Sequence, residues 1–213
     1  MTRKERAAAV TARLKERYPD AVCSLEYSKN QPHELLISTR LSAQCTDARV
    51  NIVAKDLYAK YRSLEDFANA DLDELEAIVK PCGFYHTKAR DIIAMSQKLL
   101  AEYGGVLPDT VEELTKLPGV GRKTANLIVG DVYGKPSYVC DTHCIRITGR
   151  LGISSGTKDP AKLEDELRKV LAPEESGNFC HRLVLFGRDV CMARGPRCAD
   201  CPLADLCKNP AGK

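Results

Sequence analysis

Apolar residues recur at intervals of three and four along almost the whole chain. The spacing is plain in "ELLISTRLSAQ", "ARVNIVAKDLYAKY", "LDELEAIV", "ARDIIAMSQKLLAEYG", "TANLIVGDVYG" and "LEDELRKVLA", and each such stretch predicts a helix with one buried face. Between them fall "SKNQPH", "PCGFYH", "GGVLPD", "LPGVG", "GKPS" and "ISSGTKDP", whose Gly, Pro, Ser and Asn residues end helices and form turns. No segment alternates convincingly with the period of two that a half-buried strand requires. The pattern therefore predicts an all-α fold of about ten short helices. It shows no repeat of fixed period and no low-complexity linker. "YGKPSYVC", Tyr133 to Cys140, is the expected crossover between two lobes.

Composition narrows this picture. With 213 residues, 44% of them apolar, the chain can bury a sizeable core as one large domain or two small ones. No stretch approaches the roughly 20 apolar residues that span a membrane. The start, "MTRKERAAAVTARLKERYPD", is too charged for a secretory signal, so a cytoplasmic protein without membrane contact is expected. A net charge of +3 does not by itself argue for nucleic acid, but the charge is uneven. Seven basic residues and two acidic ones lie between Lys116 and Lys158, whereas six acids and no base lie between Leu64 and Val79. One electropositive face and one acidic face are expected.

Ten cysteines in a chain read as cytosolic point to metal binding or catalysis before disulfides. Four of them, Cys191, Cys198, Cys201 and Cys207, form the compact run C-x6-C-x2-C-x5-C in "CMARGPRCADCPLADLC". Soft thiolates select soft metals, and Arg194, Gly195, Pro196 and Arg197 mark the segment as a polar loop and not a core stretch. Structural zinc usually draws on two close ligand pairs, and only one C-x2-C is present. A [4Fe–4S] cluster takes four cysteines from a single loop and ranks above zinc on spacing, with zinc left open. Such a cluster would staple the C-terminal segment and could present Arg194 and Arg197 to phosphates. "CDTHC" holds Cys140, His143 and Cys144 without a fourth partner nearby in sequence, and buried free cysteines are the ordinary reading.

"KLPGVGRKTANLI", Lys116 to Ile128, combines a turn containing two glycines with an apolar helix. The segment is read as a short helix, "VEELTKL", a tight turn and a second helix. Gly119 and Gly121 permit close approach of the backbone, and amides at the second helix's start can bind a phosphate oxygen without reading bases. Lys123 lies in that helix's first turn, where the dipole disfavours a cation. With partial burial, this favours a free amine able to attack carbon and form a Schiff base. A plain phosphate contact explains the residue equally well. Asp141 precedes "THCIRITGRL", the place of a helix N-cap. A carboxylate held there could also stabilise cationic character on a sugar whose base departs.

"LPGVGRKTA", "DTH", "LLISTRLSAQCTD" and the cysteine run, in this chain, closely resemble the endonuclease III family of DNA glycosylases with abasic-site lyase activity. The similarity spans nearly the whole sequence. It implies a helix-hairpin-helix at 111–134 and a [4Fe–4S] cluster on Cys191, Cys198, Cys201 and Cys207. It also implies two helical domains flanking a DNA-binding cleft, one at 24–136 and one formed by 1–23 plus 137–213, the second carrying the cluster. The implied partner is double-stranded DNA containing damaged bases or abasic sites, bound by a monomer. By motif position, Lys123 matches the Schiff-base nucleophile and Asp141 the catalytic carboxylate. Gln44 matches the residue that fills the space left by an extruded nucleotide. Phe84, in "GFYHTKA", falls where the family usually carries an apolar wedge, commonly leucine. Gly119, Gly121, Arg122, Arg194 and Arg197 are the expected DNA contacts, and Asp47 and His143 match pocket-lining positions. The implied substrates are oxidised or ring-saturated pyrimidines.

Four readings compete. The adenine-mismatch branch generally lacks a lysine at the position of Lys123 and carries a further C-terminal domain, whereas this sequence has the lysine and ends six residues after Cys207. A thymine-mismatch glycosylase is the second, and a non-catalytic helix-hairpin-helix module the third. An electron-transfer protein would need neither the hairpin nor the basic stretch.

Overall fold

The computed structural model describes residues 1–209, and among them it holds eleven α-helices, three short 3-10 turns and no strand. The helices are α1 (Arg3–Arg17), α2 (Pro32–Leu41), α3 (Asp47–Lys60), α4 (Leu64–Ala68), α5 (Leu72–Val79) and α6 (Tyr85–Tyr103). They continue as α7 (Val111–Leu114), α8 (Arg122–Asp131), α9 (Thr142–Leu151), α10 (Pro160–Val170) and α11 (Ser176–Asp189). The all-α reading holds. α5 coincides with "LDELEAIV" because Asp71 caps it, accepting from the Glu74 amide at 3.0 Å, and because its apolar positions bury Leu75 and Val79.

The chain divides into two compact units, one of Cys23–Tyr133 and one of Met1–Val22 with Gly134–Lys213. In the first unit Leu36, Leu57, Phe67, Leu75, Ile92 and Met95 are fully buried members of a continuous apolar core. Burial of each such side chain is worth about 1.5–3 kcal/mol, so this core can hold short helices that would not form alone. In the second unit α1 lays down the stripe Ala7, Val10 and Leu14, all at 0% exposure. Arginines on the same helix fasten it to the C-terminal segment. Arg6 donates to the Leu206 carbonyl, and Arg13 donates to the Pro202 carbonyl at 2.8 Å and pairs with Asp205. Arg17 reaches Asp189 at 2.7 Å.

The acidic stretch between Leu64 and Val79 serves local structure more than a charged face. Asp66 forms a capping box with Ser63, Glu74 pairs with Lys60 at 2.6 Å, and Glu76 lies 2.5 Å from His86. Acids in the first turns of α4 and α5 also complement the helix dipoles. No described helix is long and apolar enough to cross a membrane.

Candidate active site

The glycine turn lies between α7 and α8. "VEELTKL" is helical only over Val111–Leu114; the next residues tighten into turns in which Lys116 N bonds Glu113 O and Leu117 N bonds Leu114 O, both at 3.1 Å. The helix is thus shorter than its periodicity predicts. Gly119 has φ +71°, and a Cβ there would lie 2.7 Å from Asp91 Oδ2 and 2.8 Å from Arg40 Nε. Those two atoms form a largely buried ion pair at 2.7 Å that supports the turn from beneath. Gly121 is the N-cap of α8, adopts ordinary extended angles and would meet nothing within 4 Å if it carried a Cβ. Space for an approaching group, and not conformation, is what glycine provides at this position. Its lack of a side chain also leaves α8 without a side-chain cap. Arg122 and Lys123 are exposed in the first turn, so the partial burial expected of Lys123 is not found. Its Cα lies on the face opposite the one that buries Ala125, Ile128 and Val129.

Gln44 and Phe84 share a backbone feature. They are the only non-glycine residues with positive φ among those described, at 55° and 48°. Such angles are costly for L residues and concentrate where function demands them. Both side chains are exposed, Phe84 at 64%. Gln44 ends the turn between α2 and α3, while Phe84 is the N-cap of α6. Asp47, the first residue of α3, accepts a hydrogen bond from the Ser24 hydroxyl at 2.5 Å.

Asp141 caps α9: its Oδ1 accepts from the Cys144 amide at 2.7 Å. Behind it the thiols of Cys140, Cys144 and Cys180 meet. Their mutual contacts, with burial, push the Cys144 thiol well above its ordinary value. Cys180 on α11, and not His143, completes this group. His143 lies instead 3.1 Å from Arg146 and against Gly187, where α9 and α11 approach too closely for a larger residue.

The four C-terminal cysteines line one pocket, partly open to solvent, together with Arg150 and Phe186. Burial, and then the neighbouring thiols, raise Cys201 and Cys207 above the usual cysteine range. Among the described residues no group of three or more His, Cys, Asp or Glu side chains is arranged to hold a metal ion. Two arginines of the basic stretch turn inward to this loop. Arg146 donates to the Cys191 carbonyl at 3.0 Å, and Arg150 to the Met192 carbonyl at 2.8 Å and the Ala193 carbonyl at 3.2 Å. Lys116 is paired with Glu113 at 2.5 Å. The electropositive face expected from residues 116–158 is correspondingly reduced. Arg194 and Arg197 are exposed, Arg197 standing 3.9 Å from Asp189.

Sequence reasoning missed the Arg40–Asp91 pair, Cys180 and the inward roles of Arg146 and Arg150. It also missed Lys88, which is fully buried on α6. The signal for Lys88 was a charge in register with Ile92, Met95 and Leu99 on an apolar stripe.

Residues 37–173 match the HhH-GPD superfamily of base excision DNA repair proteins. The endonuclease III of Bacillus subtilis (strain 168) is 42% identical over 196 residues, covering 92% of this chain and 89% of that protein. Endonuclease III of Escherichia coli (strain K12) is 36% identical, with 96% of each chain covered. A non-covalent endonuclease III–DNA complex superposes with a TM-score of 0.91 at 41% identity over 98% of this chain and 96% of that one. A trapped endonuclease III–DNA covalent intermediate gives the same score and identity over 98% and 97%. A thermostable thymine-DNA glycosylase shares the fold at 20% identity, with a TM-score of 0.86. The chain belongs to the HhH-GPD superfamily of base excision DNA repair proteins and, within it, to the endonuclease III family.

Proposed function

We propose that this chain is a bifunctional DNA glycosylase and abasic-site lyase that removes oxidised pyrimidines from duplex DNA in base excision repair. The observation that carries the reading is the start of α8, where an uncapped helix end, an open glycine and an exposed lysine coincide. That combination serves a bound phosphate and a nucleophile better than it serves the helix. A relative at 41% identity has been trapped covalently on DNA, which supports a covalent route here.

In this reading Gly119, Gly121 and Arg122 grip a phosphate without reading sequence, and the damaged nucleotide leaves the stack. Extrusion costs a few kcal/mol, least at damaged pairs. Gln44 occupies the vacated space as a polar filler, and Phe84 enters the stack as an apolar wedge. The Lys123 amine attacks the anomeric carbon, the glycosidic bond breaks and the base departs with its electron pair. Asp141 stabilises the positive charge that develops on the sugar. The nitrogen then loses a proton, and the C1′–O4′ bond opens with its electrons on O4′. The resulting protonated imine acidifies the C2′ protons. Loss of one of them expels the 3′ phosphate, so that β-elimination cleaves the strand on the 3′ side. The protein is read as a monomer acting in the cytoplasm, on the nucleoid. The domain carrying the hairpin is read as 24–136, within three residues of the compact unit Cys23–Tyr133, and the one carrying the cysteine loop as 1–23 with 137–213.

Cys191, Cys198, Cys201 and Cys207 would hold a [4Fe–4S] cluster. Four sulfur donors face one cavity, and their crowded thiols gain from a cationic metal among them. Zinc would bring four sulfurs within about 2.3 Å of one point, hence about 3.8 Å from one another. The single C-x2-C within one compact loop, and the membership of the endonuclease III family, support the cluster over zinc. When bound, such a cluster ties the loop in place and presents Arg194 and Arg197 to the DNA backbone. Purified protein should be yellow-brown with broad absorption near roughly 400 nm. Stoichiometric zinc without iron in protein prepared anaerobically would refute this.

Borohydride reduction tests the chemistry. Wild-type protein should be trapped on lesion DNA and Lys123→Gln should give no adduct, while still binding the lesion and losing nearly all base release. Incision by Lys123→Gln at the wild-type rate on saturating DNA would reduce the hairpin to a grip, the property of a non-catalytic module.

A further inference from the structure

Lys88 has no part in the chemistry above, yet it is among the largest side chains that the structure buries completely. Its Nζ donates to the carbonyl oxygens of Leu41 and Cys82, each at 2.8 Å. Leu41 ends α2, three residues before Gln44, and Cys82 stands two residues before Phe84. The Lys88 amide also donates to the Phe84 carbonyl at 3.0 Å. One residue thereby ties the roots of both loops and the backbone of the wedge itself.

Hydrophobic packing alone does not explain a lysine here. Its neighbours on the stripe are Ala89, Ile92 and Met95, and an apolar residue would fill the position without the penalty of burying an ammonium. That burial pushes Lys88 below its ordinary value, partly opposed by the nearby Cys82 and Cys45 thiols, while Arg40 adds to the lowering. What the ammonium supplies is directed bonding. Charge-assisted hydrogen bonds to two carbonyls define the path of each loop. Left-handed conformations at non-glycine residues cost about 1–2 kcal/mol each and persist only where the surroundings over-determine them.

We infer that Lys88 is a positioning residue, holding the two loops so that Gln44 and Phe84 are preset to occupy the gap left by an extruded nucleotide. The inference rests on the reading of Gln44 and Phe84 given above. A preset pair avoids ordering two loops at the moment the base leaves the stack.

Single-turnover base release from duplex DNA with one oxidised pyrimidine is the test, run on wild-type protein, Lys88→Met, Gln44→Ala/Phe84→Ala and the triple variant. A 2-aminopurine beside the lesion reports extrusion in the same reactions. Lys88→Met should slow release by about 100-fold, the scale of a misplacement of an ångström, and lower the fluorescence amplitude. The triple variant should be no slower than Gln44→Ala/Phe84→Ala, because Lys88 then has nothing left to position. If Lys88→Met does not fold, Lys88→Arg replaces it, with the same lack of additivity at smaller amplitude. A loss in the triple variant equal to the product of the separate losses would show a merely structural lysine and overturn the inference, as would a wild-type rate for Lys88→Met. Wild-type rates for Gln44→Ala/Phe84→Ala would instead overturn the reading of those two residues, and the inference with it.

Discussion

α8 and α9 begin in opposite ways. α9 is capped by the Asp141 carboxylate, which accepts from the Cys144 amide at 2.7 Å, and everything about Asp141 that the backbone requires is satisfied by that bond. α8 begins at Gly121 with no side-chain cap and carries Arg122 and Lys123 in its first turn. A helix end of that kind sets two cations against a positive dipole and leaves amides without intrahelical partners. Local structure therefore explains the aspartate and does not explain the lysine. The contrast teaches which residue identifies a site: Lys123 points to chemistry by its unfavourable placement, whereas the role proposed for Asp141 rests on the family resemblance alone.

Asp141 offers the largest effect by which the contrast can be sharpened. Asparagine caps helices about as well as aspartate, so Asp141→Asn keeps the cap and removes the charge. Base release should slow by some 10²–10³-fold with the melting temperature of α9's unit unchanged. Asp141→Ala should add a stability loss of about 1 kcal/mol for the missing cap. A melting temperature lowered equally by both variants would show that the carboxylate matters for packing and not for the cap. Gly119→Ala comes next. It forces a left-handed angle on alanine and drives a Cβ against the Arg40–Asp91 pair, so denaturant unfolding should show a loss of about 2 kcal/mol or more. Gly121→Ser is the smallest and the most diagnostic of the three. Its backbone angles suit serine and its surroundings are empty. Stability should rise by a few tenths of a kcal/mol as the helix gains a cap, while affinity for duplex DNA falls several-fold. Unchanged affinity would mean that no phosphate approaches Gly121, and α8 would lose its distinction from α9.

Much of the fold was legible in the periodicity. α5 was readable to the residue because Asp71 caps it and its apolar positions repeat cleanly, and α3, α6, α8 and α10 were each outlined by their stripes. The spacing of "VEELTKL" overstates the helix, since the turns after Leu114 keep apolar spacing while their hydrogen bonds shorten to three residues. Lys123 is exposed where partial burial is expected. Which face of a helix is covered depends on its neighbours, and nothing in the first turn of α8 announces them.

The sequence by itself determined the helical class, the turns that separate the helices, and the residue types at each point of chemical interest. Those follow from interactions within a few residues: periodic burial, capping, and the φ that glycine permits. Only the tertiary structure decided what the charges do. Arg146 and Arg150, read as part of a basic face, bind the carbonyls of Cys191, Met192 and Ala193, and Arg40 and Asp91 meet beneath Gly119 from helices 51 positions apart. Lys88, in register with an apolar stripe, donates to the carbonyls of Leu41 and Cys82, 47 and 6 residues away. A charge can be read from a sequence, but its partner cannot, because a buried ammonium or guanidinium must find acceptors wherever folding brings them.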